Sequence, residues 1–106
     1  MAKYLTIARY TAAGIKGVID KGGTARVDAA RKLVEGAGGS MESFYFALGE
    51  DDVYIVCDLP DNASAAAASM NAAASGMVVN RMVALLTAEE IDRAAATKMH
   101  YDAPGS

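Results

Sequence analysis

The stretch that decides the fold is residues 49–61, which read Gly-Glu-Asp-Asp-Val-Tyr-Ile-Val-Cys-Asp-Leu-Pro-Asp. Its glycine and acidic residues are typical of a tight turn, and the alternating run that follows, 53–59, predicts a β-strand. Pro60 ends that strand, and Asp61 is suited to cap a following helix. Because only residues 49–52 separate this strand from the apolar run 43–48, we expect an antiparallel hairpin.

Helical and strand patterns continue on both sides of this hairpin. Thr11 is placed to cap a helix that the Gly22-Gly23 pair interrupts, and Thr87 with Glu90 forms a capping box before a short last helix. The predicted elements are a strand over 4–10, a helix interrupted at 22–23 and closed by 38–39, the two hairpin strands, an alanine-rich helix over 63–75, a strand over 77–86 and the last helix. This order predicts an α+β, ferredoxin-like β-α-β-β-α-β domain over residues 1–97, with a four-stranded antiparallel sheet, a C-terminal helix and a flexible tail over 98–106.

The predicted sheet has helices on one face only, and pleating sends alternate side chains to opposite faces. The side chains expected to face the helices are Leu5, Ile7, Phe44, Phe46, Leu48, Val53, Ile55, Cys57 and Leu59. Those expected on the opposite face are Tyr4, Thr6, Tyr10, Ser43, Tyr45, Tyr54, Val56 and Asp58, which include four of the five tyrosines. That face is too apolar for water and too polar for a core, so we expect a second copy of the chain to cover it.

Composition excludes several classes of protein. The 106 residues carry 13 acidic and 10 basic side chains, which leaves no basic face for nucleic acid and no polybasic patch for a membrane. The apolar stretches are far shorter than a membrane span. The single cysteine excludes an internal disulfide framework, and the first strand pattern begins without a signal segment, so a cytoplasmic protein is expected.

These features together resemble the GYD-domain family, small proteins placed with the ferredoxin-like dimeric α/β-barrel proteins. The residues that carry the resemblance span most of the chain and are Tyr4-Leu5, Gly14, Arg26-Val27, Ala29-Ala30, Leu33-Val34, Gly38-Gly39, 49–52, Pro60-Asp61 and Gly76. Where the family pattern resembles Gly-x-Tyr-Asp, this chain has Asp51 in place of the tyrosine and keeps Gly49 and Asp52. A role of that tyrosine therefore does not transfer, and the resemblance implies a dimeric α/β barrel without a settled activity.

The polar groups of the tyrosine-bearing face define a candidate ligand site. Asp58 interrupts an apolar strand, where a carboxylate must find donors or become neutral. A tyrosine hydroxyl or Arg81 satisfies it in one interpretation, and in the other the carboxylate serves proton transfer or ligand binding. The candidate ligand-binding residues are Tyr4, Thr6, Tyr10, Tyr45, Tyr54, Asp58, Asn80 and Arg81.

Other conspicuous residues favour structural roles. We interpret Gly49, Asp51 and Asp52 as turn residues, because neighbouring carboxylates point opposite ways and Gly49 is expected to adopt backbone angles that other residues avoid. Cys57 lies among helix-facing apolar residues and is expected to be an inert hydrophobe. His100 is the only histidine and lies in the tail, so neither a metal site nor a cofactor is expected.

Two classes of function remain open. In the first, a homodimer or higher homo-oligomer binds a small, partly aromatic molecule between its facing sheets, and related barrels use such cavities for cofactor-free oxygenation or isomerisation. In the second, the chain is a non-catalytic assembly module whose tyrosines hold subunits together. The sequence favours the first class and does not decide whether the protein is an enzyme.

Overall fold

The computed structural model describes residues 1–105 and contains eight helices and strands in those residues. Ser106, which ends the predicted tail, lies outside the described residues. The elements are β1 (Ala2–Tyr10), α1 (Ala12–Lys21), α2 (Gly23–Gly36), β2 (Ser40–Phe46), β3 (Val53–Leu59), α3 (Asn62–Ala74), β4 (Val78–Leu85) and α4 (Ala88–Ala96). The predicted α+β class and ferredoxin-like element order are confirmed, with α1 and α2 as the two parts of the interrupted helix.

The helices begin where their capping residues predict. The Thr11 hydroxyl accepts a hydrogen bond from the backbone N–H of Gly14 at 3.2 Å, and the Asp61 carboxylate accepts one from Ser64 at 2.8 Å. Thr87 and Glu90 cap α4 reciprocally. Gly22, with φ of 86°, separates α1 from α2, so the predicted interruption is also confirmed.

The sheet is antiparallel throughout, with strand order β2-β3-β1-β4. This order confirms the β2–β3 hairpin and places β1 in the interior of the sheet. Helix α2 packs against β2, and α3 packs against β4 and β3, all on one face. The buried core between these helices and the sheet contains Tyr4, Val34, Cys57, Leu59 and Ala65.

The predicted orientation of β1 is wrong. Tyr4 lies opposite Cys57 in β3, and Thr6 lies opposite Ile55, so the even-numbered residues of β1 face the helices. Leu5 and Ile7, predicted to face the helices, lie on the other face. Both faces of β1 carry apolar residues, and Ile7 is only 8% exposed although no helix covers it.

The orientations predicted for the hairpin strands are confirmed, apart from Leu48. Phe44, Val53 and Cys57 face the helices, and Tyr45 lies opposite Tyr54 on the other face. Leu48 lies beyond the end of β2 and is fully exposed. Its apolar character therefore reflects neither a strand nor the core.

The connection between β2 and β3 spans residues 47–52 and closes through a hydrogen bond of 2.8 Å from Ala47 N–H to the carbonyl of Asp52. Gly49 has no positive φ, and a Cβ there would meet no atom within 4 Å. The expectation that Gly49 adopts angles reserved for glycine is wrong. A hydrogen bond of 2.9 Å from Asp52 N–H to the carbonyl of Ala8 fastens the connection to β1 instead.

Helix α4 extends away from the sheet and makes no extensive contact with another helix or strand among residues 1–105. The radius of gyration is 17.0 Å, against about 13 Å for a compact domain of this length, and the longest dimension is 57 Å. Ile91 on α4 is accordingly exposed. Across the same residues, no helix combines the length and apolar character needed to cross a membrane.

Candidate functional site

The sheet divides the eight predicted ligand residues between its two faces. Those facing the helices are Tyr4, Thr6, Tyr10 and Asn80. Those on the uncovered face are Tyr45, Tyr54, Asp58 and Arg81. A pleated sheet lies between the two groups, so they cannot line one pocket within a single subunit. They belong to two surfaces, which are described in turn.

The open sheet face is the surface formed by the outward side chains of all four strands, and its centre is aromatic and aliphatic. Tyr45, Tyr54 and Ile7 form one row across three strands, and Val56, Leu5 and Val83 form the next. Tyr45 is 71% exposed, and Val79 on the edge strand is 59% exposed. Large apolar side chains therefore meet solvent on this face.

A lysine holds Asp58, in place of the predicted tyrosine or Arg81. Lys3 Nζ lies 3.1 Å from Asp58 Oδ1 and 2.8 Å from Glu42 Oε2. Hydrogen bonds raise the pKa of Lys3, and the bond to Glu42 has a larger effect than the bond to Asp58. Asp58 keeps 30% of its side chain exposed. This pairing supports the structural interpretation of Asp58, while its role in ligand binding stays a prediction.

The helix-side cavity is the second surface, a space of about 670 Å³ between the sheet and the three helices α1, α2 and α3. Within the described residues, α2 and α3 both pack on the sheet but make no extensive contact with each other, and the cavity lies between them. Ala30 and Val34 of α2 line one wall, and Ala68 and Ala72 of α3 line the other. The short alanine side chains of both helices leave this volume open.

The floor of the helix-side cavity is the helix-facing side of the sheet. Thr6, Ile55, Cys57 and Met82 lie on it. Cys57 is 1% exposed, and burial raises the pKa of its thiol, which keeps the sulfur protonated at neutral pH. This agrees with the predicted role of Cys57 as a small hydrophobe.

Three of the predicted ligand residues, Thr6, Tyr10 and Asn80, contribute polar groups to the cavity. Ser69 Oγ donates a hydrogen bond of 2.6 Å to Asn80 Oδ1, and Asn80 Nδ2 donates one of 3.2 Å to the carbonyl of Ser69. This double link fixes the orientation of the amide and joins α3 to β4. Tyr4 shares the same face, but its hydroxyl donates to Asn62 and does not line the cavity.

Arg26 lines the cavity and was missed in the sequence. Its Nε atom is buried and has no hydrogen-bond partner among the described residues, and its Cζ lies 6.0 Å from the centre of the Tyr10 ring. The spacing of Arg26, Ala30 and Val34 indicated that Arg26 faces the same side as the core residues of the helix. Residues four apart lie on one helical stripe, and the last two of these are apolar. Lys21, at the end of α1, also lines the cavity.

Neither surface carries a cluster of metal-ligating side chains within residues 1–105. His100 lies in the tail, exposed, with its Nε2 3.0 Å from Asp102 Oδ1. This pair is far along the chain from both surfaces and belongs to neither.

The chain matches a known family over most of its length. The family model described as the GYD domain matches residues 4–95, a range that runs from β1 into α4 and includes all of the sheet but the first two residues of β1, together with every residue that lines the helix-side cavity. No curated protein and no solved structure matches the chain significantly. The chain belongs to the GYD domain family.

Proposed function

We propose that the protein binds a small, largely apolar molecule in the helix-side cavity. The observation that carries this proposal is the cavity itself, whose volume of about 670 Å³ lies within the range of roughly 300 to 1,000 Å³ typical of ligand pockets. Apolar side chains supply most of its lining, and Thr6, Tyr10 and Asn80 are polar residues of that lining, of which Asn80 is held by Ser69. That combination is what a pocket needs to hold and orient an apolar ligand.

This proposal keeps a small molecule as the ligand, describes it as largely apolar where the sequence predicted a partly aromatic one, and moves the site from between two sheets to beneath the helices. The reason is the orientation of β1, which carries Thr6 and Tyr10 to the helix face. The proposal is of binding alone and names no reaction. The cytoplasm is the proposed compartment, since the one cysteine is free.

Filling the cavity tests the proposal. Ala72→Phe places a ring in the space between α2 and α3, whereas Ala73→Phe places the same ring on the exposed side of α3, outside the lining. A thermal-shift screen of small phenols, quinones, lactones and aromatic acids should find ligands whose binding is lost in Ala72→Phe and kept in Ala73→Phe. Ligands that bind both variants equally, or that map by NMR to the open sheet face, would contradict the proposed site.

Assembly through the open sheet face is a second candidate function, favoured by the exposure of Tyr45 and Val79. Monomers rarely leave a contiguous apolar patch of more than a few hundred Å² in water. A second copy of the chain placed face to face would bury both tyrosine rows, as in the dimeric α/β barrel implied by the resemblance. Helix α4, which extends from the body, would add apolar surface to such an assembly.

Light scattering at micromolar concentration tests this assembly. We expect the native chain to have at least a dimer mass and Tyr45→Asp to shift it toward the monomer. Tyr101→Asp is the matched control, because Tyr101 is equally exposed but lies in the tail. A monomer mass for the native chain would rule out assembly through this face.

A further inference from the structure

The charged side chains that line the helix-side cavity are all basic. Lys21 and Arg26 both lie at the end where α1 passes into α2, and none of the chain's 13 acidic residues lines the cavity. This contrasts with the whole chain, whose formal charge is −3. A cleft lined by one sign of charge attracts ligands of the opposite sign.

Arg26 has hydrogen-bonding capacity that the protein does not use. Its Nε is buried without an acceptor among the described residues, and its Cζ lies 6.0 Å from the centre of the Tyr10 ring, a cation–π contact that leaves the Nε donor unpaired. A guanidinium keeps its charge at all physiological pH values and presents its donors in a fork that matches a carboxylate. Leaving a buried donor unpaired is unfavourable, so an acceptor from a ligand would be favoured here.

Away from Arg26 the lining of the cavity is largely apolar, and its polar members there are Thr6, Ser69, Ser75 and Asn80. Helix α2 crosses the sheet from Tyr10, near Arg26, to the core around Cys57, near Val34. A ligand anchored at Arg26 would therefore lay its other end over apolar side chains of the lining that are partly exposed, among them Ile55 and Met82. The cavity thus has one cationic end and one apolar end.

We propose that the ligand of the helix-side cavity is an apolar carboxylic acid, whose carboxylate pairs with Arg26 and is attracted by Lys21 while its hydrocarbon body lies toward Cys57. This inference rests on the proposed binding function and adds the chemical class of the ligand. A single guanidinium with one lysine suits a monoanion, and the apolar end suits an unsubstituted ring or short chain.

Matched acid and amide probes test the inference with the full chain. Isothermal titration should show 2-naphthoate binding at least about tenfold more tightly than 2-naphthamide, as expected when a charge-assisted pair replaces a neutral contact. Arg26→Gln should reduce that ratio to near one and leave the affinity for the amide within about twofold. Arg26→Lys, which keeps the charge but loses the fork, should give an intermediate ratio.

Arg31→Gln is the control, because Arg31 lies on the same helix, outside the cavity lining, and pairs with Asp28 at 3.3 Å. It should leave the acid-to-amide ratio unchanged. If the amide binds the native chain as tightly as the acid, the inference is overturned and the binding function stands. If neither the acid, the amide nor uncharged naphthalene binds, the proposed function falls with it.

Discussion

The Asp52 carboxylate accepts a hydrogen bond from the backbone N–H of Tyr10, with 2.9 Å between Oδ2 and N. Tyr10 ends β1 and lines the helix-side cavity, whereas Asp52 belongs to the connection between β2 and β3. The bond therefore ties a connection at the sheet's edge to the strand end that borders the cationic end of the cavity. Asp52 stabilises the position of Tyr10 without reaching the cavity itself.

Replacing Asp52 should cost much more stability than replacing its neighbour. Asp52→Ala leaves the Tyr10 N–H without its acceptor, and we expect a loss of about 1 to 3 kcal/mol in the free energy of unfolding. Asp51→Ala should lose less than about 1 kcal/mol, because the one ion pair of Asp51 within residues 1–105 is with Arg81, at 3.7 Å, and Arg81 is 67% exposed. Urea unfolding of the two variants decides, and equal losses would contradict the role of Asp52.

Two glycines of α1 should respond in opposite directions to alanine. A Cβ at Gly14 would overlap the carbonyl oxygen of Met77, which already accepts a hydrogen bond from Thr11 N–H at 2.9 Å. We expect Gly14→Ala to lose about 1 to 3 kcal/mol or more through this overlap. A Cβ at Gly17 would meet nothing within 4 Å, so Gly17→Ala should gain roughly 0.5 to 1 kcal/mol from helix propensity. Thermal unfolding measures both, and a stable Gly14→Ala variant would contradict the close approach.

Gly76 and Gly49 should respond differently to replacement by alanine because of their backbone conformation alone. A Cβ at either position would meet no atom within 4 Å, but Gly76 has φ of 73° and Gly49 has no positive φ. Gly76→Ala should therefore lose about 1 to 2 kcal/mol, the cost of the left-handed region for other residues. Gly49→Ala should stay within about 0.5 kcal/mol of the native chain. Chemical unfolding of the pair distinguishes a conformational requirement from the mere presence of glycine in a turn.

The capping residues and the hairpin could be predicted from the sequence because their signals are local. Thr11, Asp61 and Thr87 each bond to a backbone N–H three residues later, so the chain pattern contains both partners. The orientation of β1 could not be predicted in this way, because it depends on the register with two strands distant in sequence. The charges of Lys3 and Arg9 did indicate this orientation. They share a face with Leu5 and Ile7, and charged side chains favour the side of a sheet that no helix covers.

The helix-side cavity could not be predicted from the sequence, for a different reason. Its volume depends on the gap between α2 and α3, and no local pattern specifies a distance between two helices. The alanine content of α3 favours close packing on the sheet, and Ala65 and Ala68 lie buried there. The same short side chains leave space toward α2. Predicting the cavity required the positions of both helices together.

Acid should weaken the protein partly through the cap of α3. The Ser64 N–H donates to the Asp61 carboxylate at 2.8 Å, and this bond, followed by one from the Ser64 hydroxyl, holds the pKa of Asp61 below its usual range. The folded carboxylate therefore binds protons less readily than the unfolded one. Its contribution to stability is present above the unfolded pKa, near 4, and is lost as the pH falls through the lower folded pKa. Asp61→Asn keeps a capping oxygen but cannot titrate. Between pH 7 and about pH 3, urea unfolding should therefore show a smaller loss of unfolding free energy in this variant than in the native chain.

Glu90 contributes to the acid sensitivity in the same direction, because the backbone N–H of Thr87 lowers its pKa, and Glu90→Gln should reduce the loss further. An acid-induced loss in Asp61→Asn as large as in the native chain would exclude this cap as a source of the pH dependence.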